Sequence, residues 1–66
     1  MTNCVRVERT RHNLTQAELA ERVGVSRQTI YALETQDYVP STALALKLAD
    51  VFDTSVEALF SLEEGD

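Results

Sequence analysis

The sequence predicts a single all-α domain of five short helices that occupies residues 1–66. Two capping boxes of the form S/T-x-x-E, Thr15 with Glu18 and Thr54 with Glu57, mark helix starts, because each residue satisfies a free backbone N–H of the other. Apolar residues recur at helical spacing after these caps. A chain of 66 residues has room for one hydrophobic core and lies near the lower limit for folding without disulfides or metal.

The segment 16–35 predicts two helices joined by a sharp turn. Thr15 caps the first of these helices and Ser26 caps the second. Gly24 lies between them, where the chain must turn, and glycine adopts the left-handed conformation there without steric cost. This spacing is typical of a helix-turn-helix motif. The side chains expected to face the core are Leu19, Ala20, Val23, Val25, Ile30 and Leu33.

Residues 1–13 are expected to form the first helix, with Asn13 as a left-handed stop before the Thr15 cap. Val5 and Val7 lie two residues apart, which fits either an extended start or a shifted helix face. Of these two arrangements we favour the helix.

The second half of the chain predicts two further helices. Pro40 ends a loop, Ser41 caps a fourth helix through Phe52, and Thr54 begins a fifth helix. The core-facing residues of these helices are predicted to be Leu44, Leu48, Val51, Phe52, Val56, Leu59 and Phe60. The domain core then covers residues 5–60, and Ser61 to Asp66 are expected to be a frayed acidic tail.

Charge is distributed unevenly between the two halves of the chain. The net charge is −5, whereas proteins that bind nucleic acid usually carry basic patches. Residues 1–31 contain five arginines and three glutamates, a net of +2, and residues 32–66 contain one lysine and eight acids, a net of −7. The positive half therefore coincides with most of the helix-turn-helix segment.

The residues that other chemistries need are missing. Cys4 is the only cysteine, so a disulfide framework and a C-x-x-C metal site are excluded. His12 has no titratable partner at a useful spacing, and there is no Walker-type glycine loop. We therefore expect no enzyme activity, no metal and no cofactor. No apolar run approaches the ~20 residues of a membrane span, and there is no signal peptide, so we expect a cytoplasmic protein.

The chain resembles the Cro/C1-type helix-turn-helix repressors, in the compact form seen in small bacterial and archaeal regulators. The matching stretches are LTQAELAERVGVSRQTI, the glutamate of ALE, the proline of DYVPS, LALKLADVF and TSVEALF. The resemblance runs from about Val5 to Phe60. It implies a five-helix lambda-repressor-like fold and binding of double-stranded DNA through the major groove. It names neither an operator nor a small-molecule effector.

The resemblance also assigns roles to individual residues. The N-terminal part of the recognition helix enters the major groove in this fold. Arg27, Gln28 and Tyr31 lie on its outward face, and we expect them to read bases, with arginine on guanine and glutamine on adenine. A plain solvated face is the alternative for these residues. The residues expected at backbone phosphates are Gln16, Ser26, Thr29 and Tyr38.

Three arginines of the first helix and one acid are open to more than one interpretation. In relatives the counterpart of Arg9 pairs with the counterpart of Glu34, and we expect this structural pair rather than a phosphate contact. Arg6 and Arg11 are expected to be solvated, with phosphate contact open to both. Asp37 stands where relatives commonly carry the basic residue of N-G-K/R, so we expect either a lower affinity for DNA than theirs or a loop that turns differently.

These expectations combine into a sequence-specific transcriptional regulator that represses by binding a pseudo-palindromic operator as a homodimer. A symmetric dimer sets two recognition helices about one DNA turn, ~34–36 Å, apart. The expected dimer contact is Val56, Phe60 and Leu62, or else the N-terminal valines. The monomer core could also use these residues fully.

A protein-interaction module is the alternative function. In that case the acidic half binds a partner protein, as in an antitoxin, and contact with DNA is secondary. The net charge of −5 and Asp37 favour this alternative, whereas Arg27 and Gln28 on an exposed helix favour DNA. The same residues could also form the DNA-reading part of a longer regulator.

Overall fold

Five helices and one short antiparallel ribbon make up the fold, and the computed structural model describes all 66 residues. In chain order the elements are β1 (Thr2–Asn3), α1 (Val5–Arg11), α2 (Gln16–Val23), α3 (Arg27–Glu34), α4 (Thr42–Val51), α5 (Val56–Leu59) and β2 (Phe60–Ser61). The fold is therefore mostly helical, as the sequence predicts, with two strands of two residues each in addition.

The two helices of the central motif begin at the caps that the sequence predicts. The Thr15 hydroxyl accepts a hydrogen bond from the Glu18 N–H at 3.0 Å, and the Thr15 N–H donates to the Glu18 carboxylate at 2.9 Å. This backbone donor lowers the pKa of Glu18. Ser26 accepts from the Thr29 N–H at 3.2 Å and so caps α3. Gly24 separates the helices with a φ of 74°.

The core is formed by one cluster of fourteen buried apolar residues to which every helix contributes. One side of α3 is enclosed, because its Ile30 and Leu33 have no exposed surface. The remaining members are Val5, Leu14, Leu19, Ala20, Val23, Leu44, Ala45, Leu48, Ala49, Phe52, Leu59 and Phe60. At ~25 cal/mol per Å² of buried apolar surface, this cluster is the main stabilising contribution in a chain of this size.

Four helices end with one residue in the left-handed conformation. The predicted stop at Asn13 has a φ of 57°, and Asp53, which stands where relatives often have glycine, has a φ of 52°. Gln36 has a φ of 67° in the loop where relatives commonly carry N-G-K/R. Gly24 adopts this conformation without a steric penalty, and asparagine and aspartate tolerate it, so Gln36 is the helix end held most against the preference of its own residue.

The expectation of a helix from residue 1 is wrong, because β1 occupies the start of the chain. β1 pairs with β2 in antiparallel register, with Thr2 opposite Ser61 and Asn3 opposite Phe60. The Asn3 side chain then accepts from the Val5 N–H at 3.1 Å, which starts α1, and donates to the carbonyl of Leu33 at 2.9 Å. The ribbon thus reaches the last turn of α3.

The two valines of the first helix have different environments. Both lie in α1, which agrees with the helical interpretation of their spacing. Val5 is fully buried, whereas Val7 is 57% exposed and contributes little to the core.

The N-cap of α5 lies one residue after Thr54, which is the residue where the sequence predicts it. The Thr54 N–H donates to the carbonyl of Ala49 at 2.9 Å, so its backbone is used to end α4. Ser55 caps α5 instead, and its hydroxyl accepts from the Ala58 N–H at 3.1 Å. Thr54 has the fuller capping-box pattern with Glu57, but the end of α4 uses its backbone, and the next hydroxyl residue caps α5.

The acidic end of the chain is exposed but hydrogen-bonded rather than frayed. Ser61 belongs to β2, and the Glu63 N–H donates to the Asp66 carboxylate at 2.7 Å. The ammonium group of Met1 lies 2.8 Å from the same carboxylate and lowers the pKa of Asp66. The ribbon therefore continues into an ion pair between the two ends.

Replacing Gln36 by glycine is expected to stabilise the domain. The Gln36 and Asp37 N–H groups donate to the carbonyls of Leu33 and Ala32, so the left-handed conformation is required by the end of α3. Gln36→Gly removes the steric penalty and should raise the free energy of unfolding by about 0.5–1 kcal/mol. Thermal denaturation should show an increase in Tm of about 3–6 °C.

The matched control is Asn13→Gly, which should increase Tm less because asparagine tolerates the left-handed region better than glutamine does. An equal or larger gain at Asn13 would contradict this account of the loop.

Candidate nucleic-acid interface

α3 presents a polar surface to solvent on the side opposite the core. Arg27 and Gln28 lie exposed in its first turn, and Tyr31, one turn further along, is 57% exposed. Ile30 and Leu33 hold the other side of the helix in the core. The three residues predicted to read bases are therefore accessible on one continuous face.

A chain of hydrogen bonds connects this face with the end of α3. The Arg27 guanidinium donates to the side-chain oxygen of Gln16 at 3.1 Å. The Gln16 amide donates in turn to the Glu34 carboxylate at 3.1 Å. The Gln16 side chain thus bridges the first and last turns of α3, and both its oxygen and its amide nitrogen form hydrogen bonds. Its polar atoms orient Arg27 before any ligand is present.

The ion pair between Arg9 and Glu34 that relatives imply is present. The Arg9 Nε lies 2.6 Å from one carboxylate oxygen of Glu34, and Nη2 lies 3.3 Å from the other, so the contact is bidentate. Nη1 of Arg9 donates to the carbonyl of Leu14 at 2.7 Å. The carboxylate is 4% exposed and the guanidinium side chain 15% exposed. Arg9 therefore joins α1, the α1–α2 turn and α3.

The remaining residues predicted at phosphates differ in how free their side chains are. Ser26 and Thr29 both lie at the start of α3, and their hydroxyl oxygens are 3.0 Å apart. The Ser26 hydroxyl also serves as the helix cap. Tyr38 lies in the loop after α3 and is 40% exposed. All three are near the surface, but only Tyr38 has a hydroxyl with no partner inside the domain.

A polar cleft of about 220 Å³ lies between α1 and the helix-turn-helix. Its walls are Arg6, Arg9, Gln16, Tyr31, Glu34 and Thr35. Arg6 is the member whose role the sequence leaves open, because most of the residues that complete the cleft lie in α2 and α3, far along the chain. In the structure Arg11 pairs with Glu8 at 3.2 Å outside this cleft, whereas Arg6 lines it without an ion pair.

Ion pairing changes the charge that this side of the domain presents. Arg9 and Arg11 each have a carboxylate partner within 4.0 Å. Arg6, Arg22 and Arg27 have none. Of the five arginines in the first half of the chain, three therefore keep an uncompensated charge, and two of these, Arg6 and Arg27, lie beside or in α3.

An apolar groove of about 460 Å³ lies on a different part of the surface. Its lining includes Met1, Val39, Pro40, Ala45, Leu46, Val56 and Phe60. Val39 and Leu46 are 68% and 58% exposed, which is high for apolar side chains. Of the residues predicted at a dimer contact, Val56 and Phe60 line the groove, although Phe60 is also part of the core. Leu62 is 79% exposed and lies outside the lining.

This arrangement, with two short helices joined at a glycine turn and polar side chains along the exposed helix, defines a helix-turn-helix DNA-binding domain. A family model described as Helix-turn-helix matches residues 5–59. The chain belongs to this family, the Cro/C1-type helix-turn-helix transcriptional regulators.

Relatives and a solved structure agree with this assignment. The chain is 46% identical over 66 residues to an uncharacterized HTH-type transcriptional regulator of Methanocaldococcus jannaschii, and the match covers both chains completely. It is 48% identical over 64 residues to another such regulator, YgzD of Bacillus subtilis, covering 97% of each. The N-terminal DNA binding domain of SinR from Bacillus subtilis superposes with a TM-score of 0.78 at 27% identity, covering 94% of this chain and 90% of that one.

None of the five helices has both the length and the apolar character that crossing a bilayer requires.

Glu34→Gln is expected to destabilise the domain, because it leaves the Arg9 guanidinium without its charge partner in a mostly enclosed site. Breaking a buried pair in this way costs about 3 kcal/mol, a large part of the total for a domain of this size. The measurement is urea unfolding followed by circular dichroism.

The matched control is Glu8→Gln, which breaks the exposed pair with Arg11. Exposed pairs contribute about 0–1 kcal/mol, so this variant should unfold close to the wild type. Similar losses for both variants would show that burial is not what makes the Arg9 pair important.

Proposed function

We propose that the protein is a sequence-specific repressor that binds a pseudo-palindromic DNA operator as a homodimer. The observation that carries the proposal is the exposed row of Arg27 and Gln28 at the start of α3, in which a hydrogen bond to the half-buried Gln16 of α2 holds Arg27. A recognition helix enters the major groove by its N-terminal residues, which is where this row lies.

Base reading is assigned to the two residues in the first turn of α3. The planar guanidinium of Arg27 suits the O6 and N7 atoms of guanine, and the amide of Gln28 suits the N6 and N7 atoms of adenine. Each bidentate contact of this kind discriminates by ~1–3 kcal/mol against the wrong base. Because Gln16 already orients Arg27, less conformational entropy is lost when the contact forms.

Contacts to the backbone are assigned to the residues around this row. Gln16 lies at the N-terminus of α2, where the free N–H groups and the helix dipole favour an anion. Ser26, Thr29 and Tyr38 offer hydroxyl groups on the same side as α3. The exposed Asp37 opposes them, so the affinity should be modest.

Dimerisation is assigned to the apolar groove. One small module buries roughly 600–1,000 Å² on DNA, which limits its specificity, and a second copy doubles the bases read. A symmetric contact would place the exposed Val39 and Leu46 of each copy, together with Val56, against the apolar groove of the other copy. Occupation of an operator by such a dimer would block a promoter.

The groove is also the observation that favours the second candidate, a partner-binding module. Exposed apolar patches mark contact sites, and a protein other than a second copy could cover this one. The oligomeric state of the purified protein separates the two, since a dimer covers the groove and a monomer leaves it for a partner.

The first experiment is selection from a random duplex pool at low salt, using the wild type and the double variant Arg27→Ala with Gln28→Ala. The wild type should enrich a pseudo-palindrome. The double variant should lose this enrichment, because the contacts that discriminate bases are removed, while its weak attraction to phosphates remains.

Both side chains are exposed, so the double variant should keep the Tm of the wild type, and thermal denaturation provides that control. Absence of any enrichment by the wild type at low salt would refute the DNA-binding proposal. Enrichment that survives in the double variant would refute the assignment of these two residues.

Leu46→Asp is expected to turn the dimer into a monomer, because it places a charge in the lining of the apolar groove. Leu46 is 58% exposed in the single chain, so the fold should be retained. Sedimentation equilibrium should report half the mass of the wild type, and the affinity for a full palindrome should fall towards that for one half-site.

The matched control is Leu62→Asp, which introduces the same charge at an exposed leucine outside the groove. If Leu62→Asp were a monomer and Leu46→Asp a dimer, the dimer interface would lie near Leu62 and not in the groove.

A further inference from the structure

We propose that the polar cleft between α1 and the helix-turn-helix binds a phosphate group of the DNA backbone, with Arg6 as the cation that binds it. The inference rests on the proposed function and extends it to a residue of α1 outside the recognition helix. It follows from the charge of the cleft, from the donors in its walls and from its position beside α3.

The cleft has one uncompensated positive charge. Three of its six lining residues are ionised, namely Arg6, Arg9 and Glu34. Arg9 and Glu34 neutralise each other through their bidentate contact. Arg6 is exposed and has no carboxylate within 4.0 Å, so its guanidinium is available to an anion that enters.

The walls also supply neutral donors. Tyr31 brings a hydroxyl group and is 57% exposed, and Gln16 brings a side-chain amide. A planar guanidinium with nearby hydroxyl and amide donors is the set that recognises phosphate oxygens. The space of about 220 Å³ is larger than a phosphate group, and its polar walls suit a hydrated anion.

The position of the cleft selects the source of the phosphate. Tyr31 belongs to the exposed face of α3, and Gln16 is linked to Arg27 by a hydrogen bond. A helix in the major groove is flanked by the backbone strands, so a cleft that shares its walls with that helix faces a strand. Arg6 would then fix the angle between α1 and the duplex without contributing to base reading.

Arg11 provides the comparison within the same helix. It has the same chemistry as Arg6, but it pairs with Glu8 and is not part of the cleft wall. Substitution of either arginine by glutamine changes the net charge equally. Any difference between the two variants therefore reports the site and not the overall field of the protein.

The test is the salt dependence of binding to the selected operator duplex, measured by fluorescence anisotropy for the wild type, Arg6→Gln and Arg11→Gln. Each phosphate contact contributes about 0.9 to the slope of log K against log salt. Arg6→Gln should lower the magnitude of this slope by about 0.9. It should weaken binding to the operator and to unrelated duplexes by the same factor. Its deficit should shrink about threefold between 50 and 200 mM salt. Arg11→Gln should keep the slope of the wild type.

Equal slopes for Arg6→Gln and the wild type would overturn the proposal, as would equal losses of slope for both variants. If the wild type binds no duplex at all, the proposed function itself has failed. That result is distinct from the two slope results, which concern Arg6 alone. A titration with inorganic phosphate, followed through the Arg6 Nε–H signal by NMR at constant ionic strength, tests free phosphate as the ligand. A shift with free phosphate and no change of DNA slope would assign the cleft to a soluble anion instead.

Discussion

A carboxylate that is 4% exposed lies against a guanidinium at the junction of three helices, and the geometry of the DNA-facing surface depends on this pair. Glu34 would be costly to enclose alone, but Arg9 compensates its charge with two hydrogen bonds and uses its third nitrogen on the carbonyl of Leu14. The second charge-bearing oxygen also receives the Gln16 amide. Through Gln16 the pair determines where Arg27 points, so a contact made for the fold also orients a residue assigned to base reading.

The local signals in the sequence predicted most of the fold because they act over three or four residues. Thr15 with Glu18 and the cap at Ser26 each place a hydroxyl where a helix must begin, and both helices begin there. Apolar spacing then assigned Ile30 and Leu33 to the core correctly. The pairing of Arg9 with Glu34 spans 25 residues and followed from the family resemblance, since no local rule connects two such positions.

The errors arise where distant parts of the chain decide between local choices. Strands of two residues carry no periodicity, so β1 and β2 could not be predicted from pattern, and their pairing joins positions almost the full length of the chain apart. Thr54 and Ser55 both offer a hydroxyl cap, and the end of α4 selects the second. Glu8, three residues before Arg11, offers that arginine a local partner, whereas the place of Arg6 in the cleft depends on α2 and α3.

The ribbon has a consequence for how the protein is made. Its second strand, Phe60–Ser61, must reach Thr2–Asn3, and Asn3 in turn holds the last turn of α3 through the carbonyl of Leu33. A ribosome releases residues in order, so the recognition helix can form its own caps early but lacks this support until residue 61 has left the exit tunnel. Closure of such a long loop is the slow step expected in a chain whose other contacts are mostly local. The nascent domain therefore gains its complete DNA-facing geometry only after the second strand has emerged and paired with the first.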